Sequence, residues 1–176
     1  MSVDDSMRVL RPVMHRTLVH FPATKRSTSA PSQPTRQVRP GGIPPLHHAH
    51  PSDVPVLVVN AGSSSLKMRS FPGDHDVTIE RIGETSGATL RTRGELRDVG
   101  RVSDVHAAFR VALDTLDPLL DIPMVPLVGH RMVHGGERYT APVMLDDAVL
   151  HDLEALSPLA PLHNPANLAG IRAARA

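Results

Sequence analysis

The run Val56-Leu57-Val58-Val59 is too short for a helix and rich in β-branched residues, so it reads as a buried strand. It stops at Asn60. The following Ala61-Gly62-Ser63-Ser64-Ser65 is a set of small and hydroxyl-bearing residues, suited to a tight turn whose backbone N–H groups and side chains can approach an anion closely. Beyond the turn, Leu66, Met68 and Ser70 alternate with Lys67, Arg69 and Phe71, the period of a second strand. That alternation puts Lys67 on one face near the turn, with its ammonium able to reach a phosphate. An ordinary solvated hairpin has the same strand, Gly-Ser turn and strand, and spacing does not choose between the two readings.

The residues before this hairpin differ in kind. From Pro22 to Pro55 the chain is dominated by Pro, Ser, Thr, Arg and His without a sustained apolar period, so it buries too little surface to offset chain entropy. Residues 1–54 are therefore expected to be a disordered, Pro/Ser/Arg-rich amino-terminal extension. Within it, Val9, Leu10, Val13, Met14, Leu18 and Val19 lie among Arg8, Arg11 and Arg16, a pattern for a short basic amphipathic helix over residues 7–21 that Pro12 interrupts. An Arg-rich targeting segment is a second reading of that stretch. His47, His48 and His50 form a cluster with no thiolate or carboxylate set around it, which favours a solvated tract over a metal site.

After the hairpin, Pro72-Gly73-Asp74 marks a turn, Val77 to Ile82 a third strand, and Ala88 to Leu96 a further β segment, together an antiparallel meander. Ser103 and Asp104 offer a helix start, and Val105, Ala108, Phe109, Ala112, Leu113 and Leu116 recur at helical spacing until Pro118. His106 on that helix has no evident partner and reads as a surface residue. Leu127 to Val133 forms a strand that carries Arg131 toward Gly135-Gly136, where backbone passes close to something or turns sharply. A guanidinium offers a planar fork for carboxylate or phosphate, although pairing with a structural acid such as Glu137 is the alternative. Asp146 or Asp147 caps a helix through Leu156, and Asn164-Pro165 starts another with Asn164 as the cap. His163 then sits at a positively polarised helix terminus, able to donate to a phosphoryl oxygen or to be satisfied locally.

Three of these stretches resemble the acetate kinase family of acetate, propionate and butyrate kinases. Asn60-Ala61-Gly62-Ser63-Ser64-Ser65-Leu66-Lys67 is similar to its amino-terminal phosphate motif. Gly129-His130-Arg131-Met132-Val133-His134-Gly135-Gly136-Glu137 is similar to its second signature, and Leu162-His163-Asn164-Pro165-Ala166-Asn167 to its third. The resemblance runs over about Val56 to Arg175. It implies an α/β, actin-like and sugar-kinase-like (ribonuclease H-like) ATPase fold, first domain only: a mixed sheet opened by a β-hairpin with flanking helices. Residues 55–176 would be a truncated amino-terminal domain. A later Asp, a second Arg, an adenosine-binding segment and a metal-binding Glu of the family have no counterpart up to Ala176.

The resemblance also implies reversible, Mg2+-dependent phosphoryl transfer from ATP to acetate or another short-chain carboxylate. By it Asn60 organises metal and phosphates, Ser63, Ser65 and Lys67 contact nucleotide phosphate, and Arg131 fixes the carboxylate. Val133 and Leu162 form an apolar wall for the acyl chain, and His163 stabilises the transferring group. A non-catalytic lobe that binds phosphate or a partner is the reading of another class. Full-length members are expected to be homodimers. A net charge of +1 with one Tyr and no Trp speaks against nucleic acid as a partner. No apolar run reaches the roughly 20 residues of a membrane span, and the absence of Cys excludes disulfides and thiolate metal sites, so a cytoplasmic location is expected.

Overall fold

The computed structural model describes residues 16–21, 55–116 and 127–176. In chain order the strands are β1 (Arg16–His20), β2 (Val56–Ala61), β3 (Ser65–Phe71), β4 (Asp76–Glu80), β5 (Thr89–Thr92), β6 (Glu95–Asp98), β7 (Leu127–Arg131) and β8 (Val143–Met144). The helices are α1 (Val105–Leu116), α2 (Asp147–Ala155) and α3 (Asn164–Arg175), with a 3-10 turn at Ser157–Leu159 before α3.

All eight strands form one mixed sheet in the order β6-β5-β4-β3-β2-β7-β1-β8. The expected meander is present: β2 through β6 pair antiparallel with sequential neighbours. The expected β segment over residues 88–96 is itself a hairpin, β5 and β6, turning at Arg93 and Gly94 with positive φ. β7 then lies parallel to β2, with α1 in the intervening chain. Among the described residues, the helices cover one face of the sheet. Alternation along β3 buries Leu66, Met68 and Ser70 and exposes Lys67, Arg69 and Phe71. The buried rows of Leu57, Val59, Leu66, Met68, Ile79 and Leu90 share one cluster with Ala108, Phe109, Ala112 and Leu116 of α1, which lies against β3 and β4 while α3 lies against β2 and β7. Transfer of such side chains from water contributes about 1.5–3 kcal/mol each, which makes this apolar layer the main support of the sheet.

Asp104 starts α1 as expected: its carboxylate accepts from the Ala107 N–H at 2.8 Å. That bond holds the Asp104 carboxyl below its ordinary range, with help from the Ser103 hydroxyl. Of the two candidates for α2 the cap is Asp146, which accepts from Val149 N–H at 2.7 Å. The cap at α3 differs from expectation. His163 is the N-cap residue and makes no side-chain cap bond, while Asn164 is inside the first turn and fully buried.

The larger correction concerns the amino-terminal stretch. Arg16–His20 is neither disordered nor helical: it is a strand inserted between β7 and β8, parallel to the first and antiparallel to the second. The reason is burial. Val19 and Phe21 complete a second apolar cluster with Met132, Leu153, Leu168 and Ile171, so docking this strand covers the flank of β7 and the undersides of α2 and α3. Pro118 and the His47, His48 and His50 cluster lie outside the described residues. Among the described residues, no helix is long and apolar enough to cross a membrane.

Candidate functional site

The site is built where the three parallel strands end. The β2–β3 turn is closed by Gly62 N–H donating to Ser65 C=O at 2.7 Å, and the segment after β4 holds it through Ile82 N–H donating to Ser64 C=O at 3.0 Å. A Cβ on Gly62 would stand 3.1 Å from Ser65 Oγ, so glycine lets the serine fold back over the turn. Ser63 is exposed and lines an open depression with Gly83, Asp104, His106 and Ala166.

Register then decides which side chains share a face. Asn60 pairs with Lys67, and Lys67 with Thr78. Val59 pairs with His130, and both are buried on the helix side, so the residues immediately after them, Asn60 and Arg131, turn to the open face. Lys67, Asn60 and Arg131 therefore stand side by side on consecutive strands, β3, β2 and β7. Strand spacing places the outer two about 10 Å apart. Asn60 is half-buried, whereas Lys67 and Arg131 are exposed. Among the described residues neither cation has a carboxylate partner, so the expected alternative of an Arg131–Glu137 pair does not form. Arg69, two residues along the same face, is by contrast neutralised by Asp74 at 2.5 Å.

What joins the three sequence stretches is a pair of asparagines at the start of α3. Asn167 donates through Nδ2 to Ala61 C=O at 2.5 Å and accepts at Oδ1 from Val133 N–H at 3.0 Å. One side chain thus ties the serine-rich turn to the segment that leaves Arg131. Asn164 donates to the carbonyls of His134 and Leu156 and accepts from His134 N–H at 3.3 Å. Both asparagines are nine-tenths or more buried. In the sequence Asn164 reads as a cap, and no capping or turn pattern marks Asn167. Their recurrence three residues apart, one helical turn and one face, is the signal that could have found them.

The glycine pair behaves as its position suggested. A Cβ on Gly135 would come within 2.8 Å of the Phe21 ring, and Gly136 has a φ of +63° and donates to His134 Nδ1 at 2.9 Å. Val133 is half-buried and lines a small hollow of about 20 Å³ with Phe21, Gly135, Tyr139 and Thr140. Leu162 is not part of it: its side chain is 75% exposed, so the two expected wall residues are not brought together. His163 is exposed beside the buried Asn164, at the amino end of α3. Tyr139 OH donates to Asp152 at 2.6 Å, and Arg138 also meets Asp152, at 2.5 Å. Burial, and then the Asp152 carboxylate, pushes the Tyr139 phenol up to about 12. For metal, no group of three His, Cys, Asp or Glu gathers among the described residues. Asn60 offers a neutral oxygen only, a donor set that fits Mg2+ carried mainly by phosphates and water rather than a protein cage.

A mixed α/β sheet with its parallel strand ends converging on a serine turn and an exposed arginine is a domain of the actin-like ATPase fold, and solved structures agree. The chain superimposes on acetate kinase from Porphyromonas gingivalis with a TM-score of 0.59 at 34% identity, covering 68% of this chain and 33% of that one. With a propionate kinase from Francisella tularensis the TM-score is 0.58 at 27% identity, over the same shares. Residues 55–176 match the model of the acetokinase family, and the chain belongs to that family. Acetate kinase from Streptomyces griseus is 44% identical over 135 residues, 69% of this chain and 33% of the relative. That from Deinococcus deserti is 44% identical over 126 residues, 68% and 32%. The chain thus spans about a third of the length of the curated relatives it matches.

Proposed function

We propose that this chain forms the oxyanion-binding part of a site for reversible phosphoryl transfer between ATP and acetate. The observation that carries the reading is the row of Lys67, Asn60 and Arg131 on one open face, with both cations free of carboxylates among the described residues. Such a row suits a reaction catalysed mainly by positioning and by neutralising charge on equatorial oxygens. Lys67, with the hydroxyls of Ser63 and Ser65, holds phosphate oxygens of the nucleotide. Arg131 receives the carboxylate in its planar fork. His163 donates a hydrogen bond toward the transferring group, and Asn60 supplies an oxygen toward Mg2+. Bound Mg2+ would supply charge neutralisation between the phosphates.

We infer acetate rather than propionate or butyrate because the curated relatives at 44% identity are acetate kinases. Leu162 would close over the acyl chain only by leaving its exposed position. A cytoplasmic location belongs to the same reading, as for other enzymes that draw on ATP. A second reading is a phosphate-binding lobe, in which the row of Lys67, Asn60 and Arg131 holds an oxyanion without turning it over. The two share oxyanion binding by this row and differ in acetyl phosphate formation.

The test is calorimetric titration of the purified chain with ATP and Mg2+ and with inorganic phosphate, beside a steady-state assay of acetyl phosphate. Binding that Arg131→Ala and Lys67→Ala each weaken by tenfold or more supports the site. Heats unchanged by both substitutions, or no binding at all, would overturn it. Turnover well above that of the Arg131→Ala variant would overturn the lobe reading instead.

A further inference from the structure

We propose that His20 is a further ligand in the same oxyanion row, delivered by the amino-terminal strand that lies outside residues 55–176. The proposal rests on the phosphoryl-transfer reading and extends it by one residue. In the parallel register of β1 and β7, His20 is the partner of Arg131. Partnered residues of neighbouring strands share a face and stand about 5 Å apart, so the imidazole takes the next place after Arg131. The sequence across the open face is then Lys67, Asn60, Arg131, His20, on four successive strands.

The backbone that presents His20 is fixed. Its carbonyl accepts from Met132 N–H at 2.9 Å, and Thr17 C=O accepts from Leu145 N–H at 2.8 Å. Val19 on one side of it is fully buried and Phe21 on the other nearly so, and His20 is exposed between them. Local charge favours an anion there. The strand acids of this face, Asp76 and Glu80 on β4 and Asp98 on β6, lie on the far side of β3 from β1. Among the described residues no carboxylate pairs with His20. An imidazole donates an N–H whether neutral or protonated, so it serves an oxyanion that Arg131 has drawn in. The ligand class is a phosphoryl or carboxylate oxyanion.

The experiment follows the imidazole signals of the whole chain by NMR during titration with inorganic phosphate and, separately, with acetate. The His20 signal is assigned by its loss in His20→Gln. A saturable shift of that signal, absent in Arg131→Ala, with about three- to fivefold weaker binding in His20→Ala and recovery in His20→Lys, is the expected result. Whichever anion produces the shift identifies the group that His20 meets. A His20 signal unmoved by both anions, while Arg131→Ala still abolishes binding, overturns the assignment and leaves the phosphoryl-transfer reading intact. Failure of the unaltered chain to bind either anion overturns both.

Discussion

Replacing Asn167 by Ala tests whether one buried side chain holds the site together. In the folded chain its amide group satisfies Ala61 C=O at 2.5 Å and Val133 N–H at 3.0 Å. Asn167 is 3% exposed, so water does not readily replace it. Each buried backbone group left without a partner costs about 1–3 kcal/mol, so losing both predicts about 2–6 kcal/mol of destabilisation. Against a typical domain stability of about 5–15 kcal/mol that is a large share. Asn167→Asp is expected to cost more, since a carboxylate oxygen would face the Ala61 carbonyl oxygen and carry charge into a buried place. Urea denaturation gives the stability, and amide hydrogen exchange at Val133 reports the bond itself. The variant should lower the midpoint at unchanged slope, speed exchange at Val133 and weaken phosphate binding. A loss below about 0.5 kcal/mol, or Asp tolerated as well as Asn, would refute the bridging role.

Three further outcomes follow from the packing. Gly170→Ala would place a Cβ 2.7 Å from the Ala61 Cβ, and overpacking of about 1–3 kcal/mol should outweigh the gain of about 1 kcal/mol in helix propensity. A denaturation midpoint equal to or above that of the unaltered chain would contradict this. Val19→Asp puts a charge at a fully buried position of the second cluster and should cost more than about 3 kcal/mol, releasing β1 to proteolytic cleavage between Arg16 and His20. Unchanged protection of that segment argues against its docking. Tyr139 is the single tyrosine of a chain without Trp, so its near-ultraviolet titration is read directly. With the phenol at about 12 against the ordinary 10, the neutral form is the one the fold favours. The linked stability is present in full below pH 10 and lost as pH rises through 12. Rapid pH jumps should give that midpoint, and Asp152→Asn should draw it back toward 10; a native midpoint at 10 refutes the burial argument.

Local pattern was enough for much of this architecture. The alternation of Leu66, Met68 and Ser70 against Lys67, Arg69 and Phe71, and the helical spacing of Val105 to Leu116, are imposed by one buried face each. They therefore appear in the letters. β1 was not legible in that way. Five residues, Arg-Thr-Leu-Val-His, sit after Pro12 among arginines, and what makes them a strand is a partner far along the chain. Short-range periodicity carries no information about such a partner. Asn164 was misread for a related reason: Asn-Pro is a sound helix start, but His163 takes the cap, leaving Asn164 for contacts with His134 and Leu156. The side-by-side placement of Lys67, Asn60 and Arg131 depends on strand order, and only the sheet supplies that.

The long reach of the first strand has a consequence for biosynthesis. Arg16 to His20 leave the ribosome early, yet their pairing strand begins at Leu127 and their other neighbour at Val143. Until those residues emerge, Val19 and Phe21 have no cluster to enter, and the segment waits as an apolar stretch open to chaperones or to another nascent copy. Assembly of the second cluster is thus a closing event, governed by the slow entropy of a distant contact rather than by the fast local steps that form the hairpins.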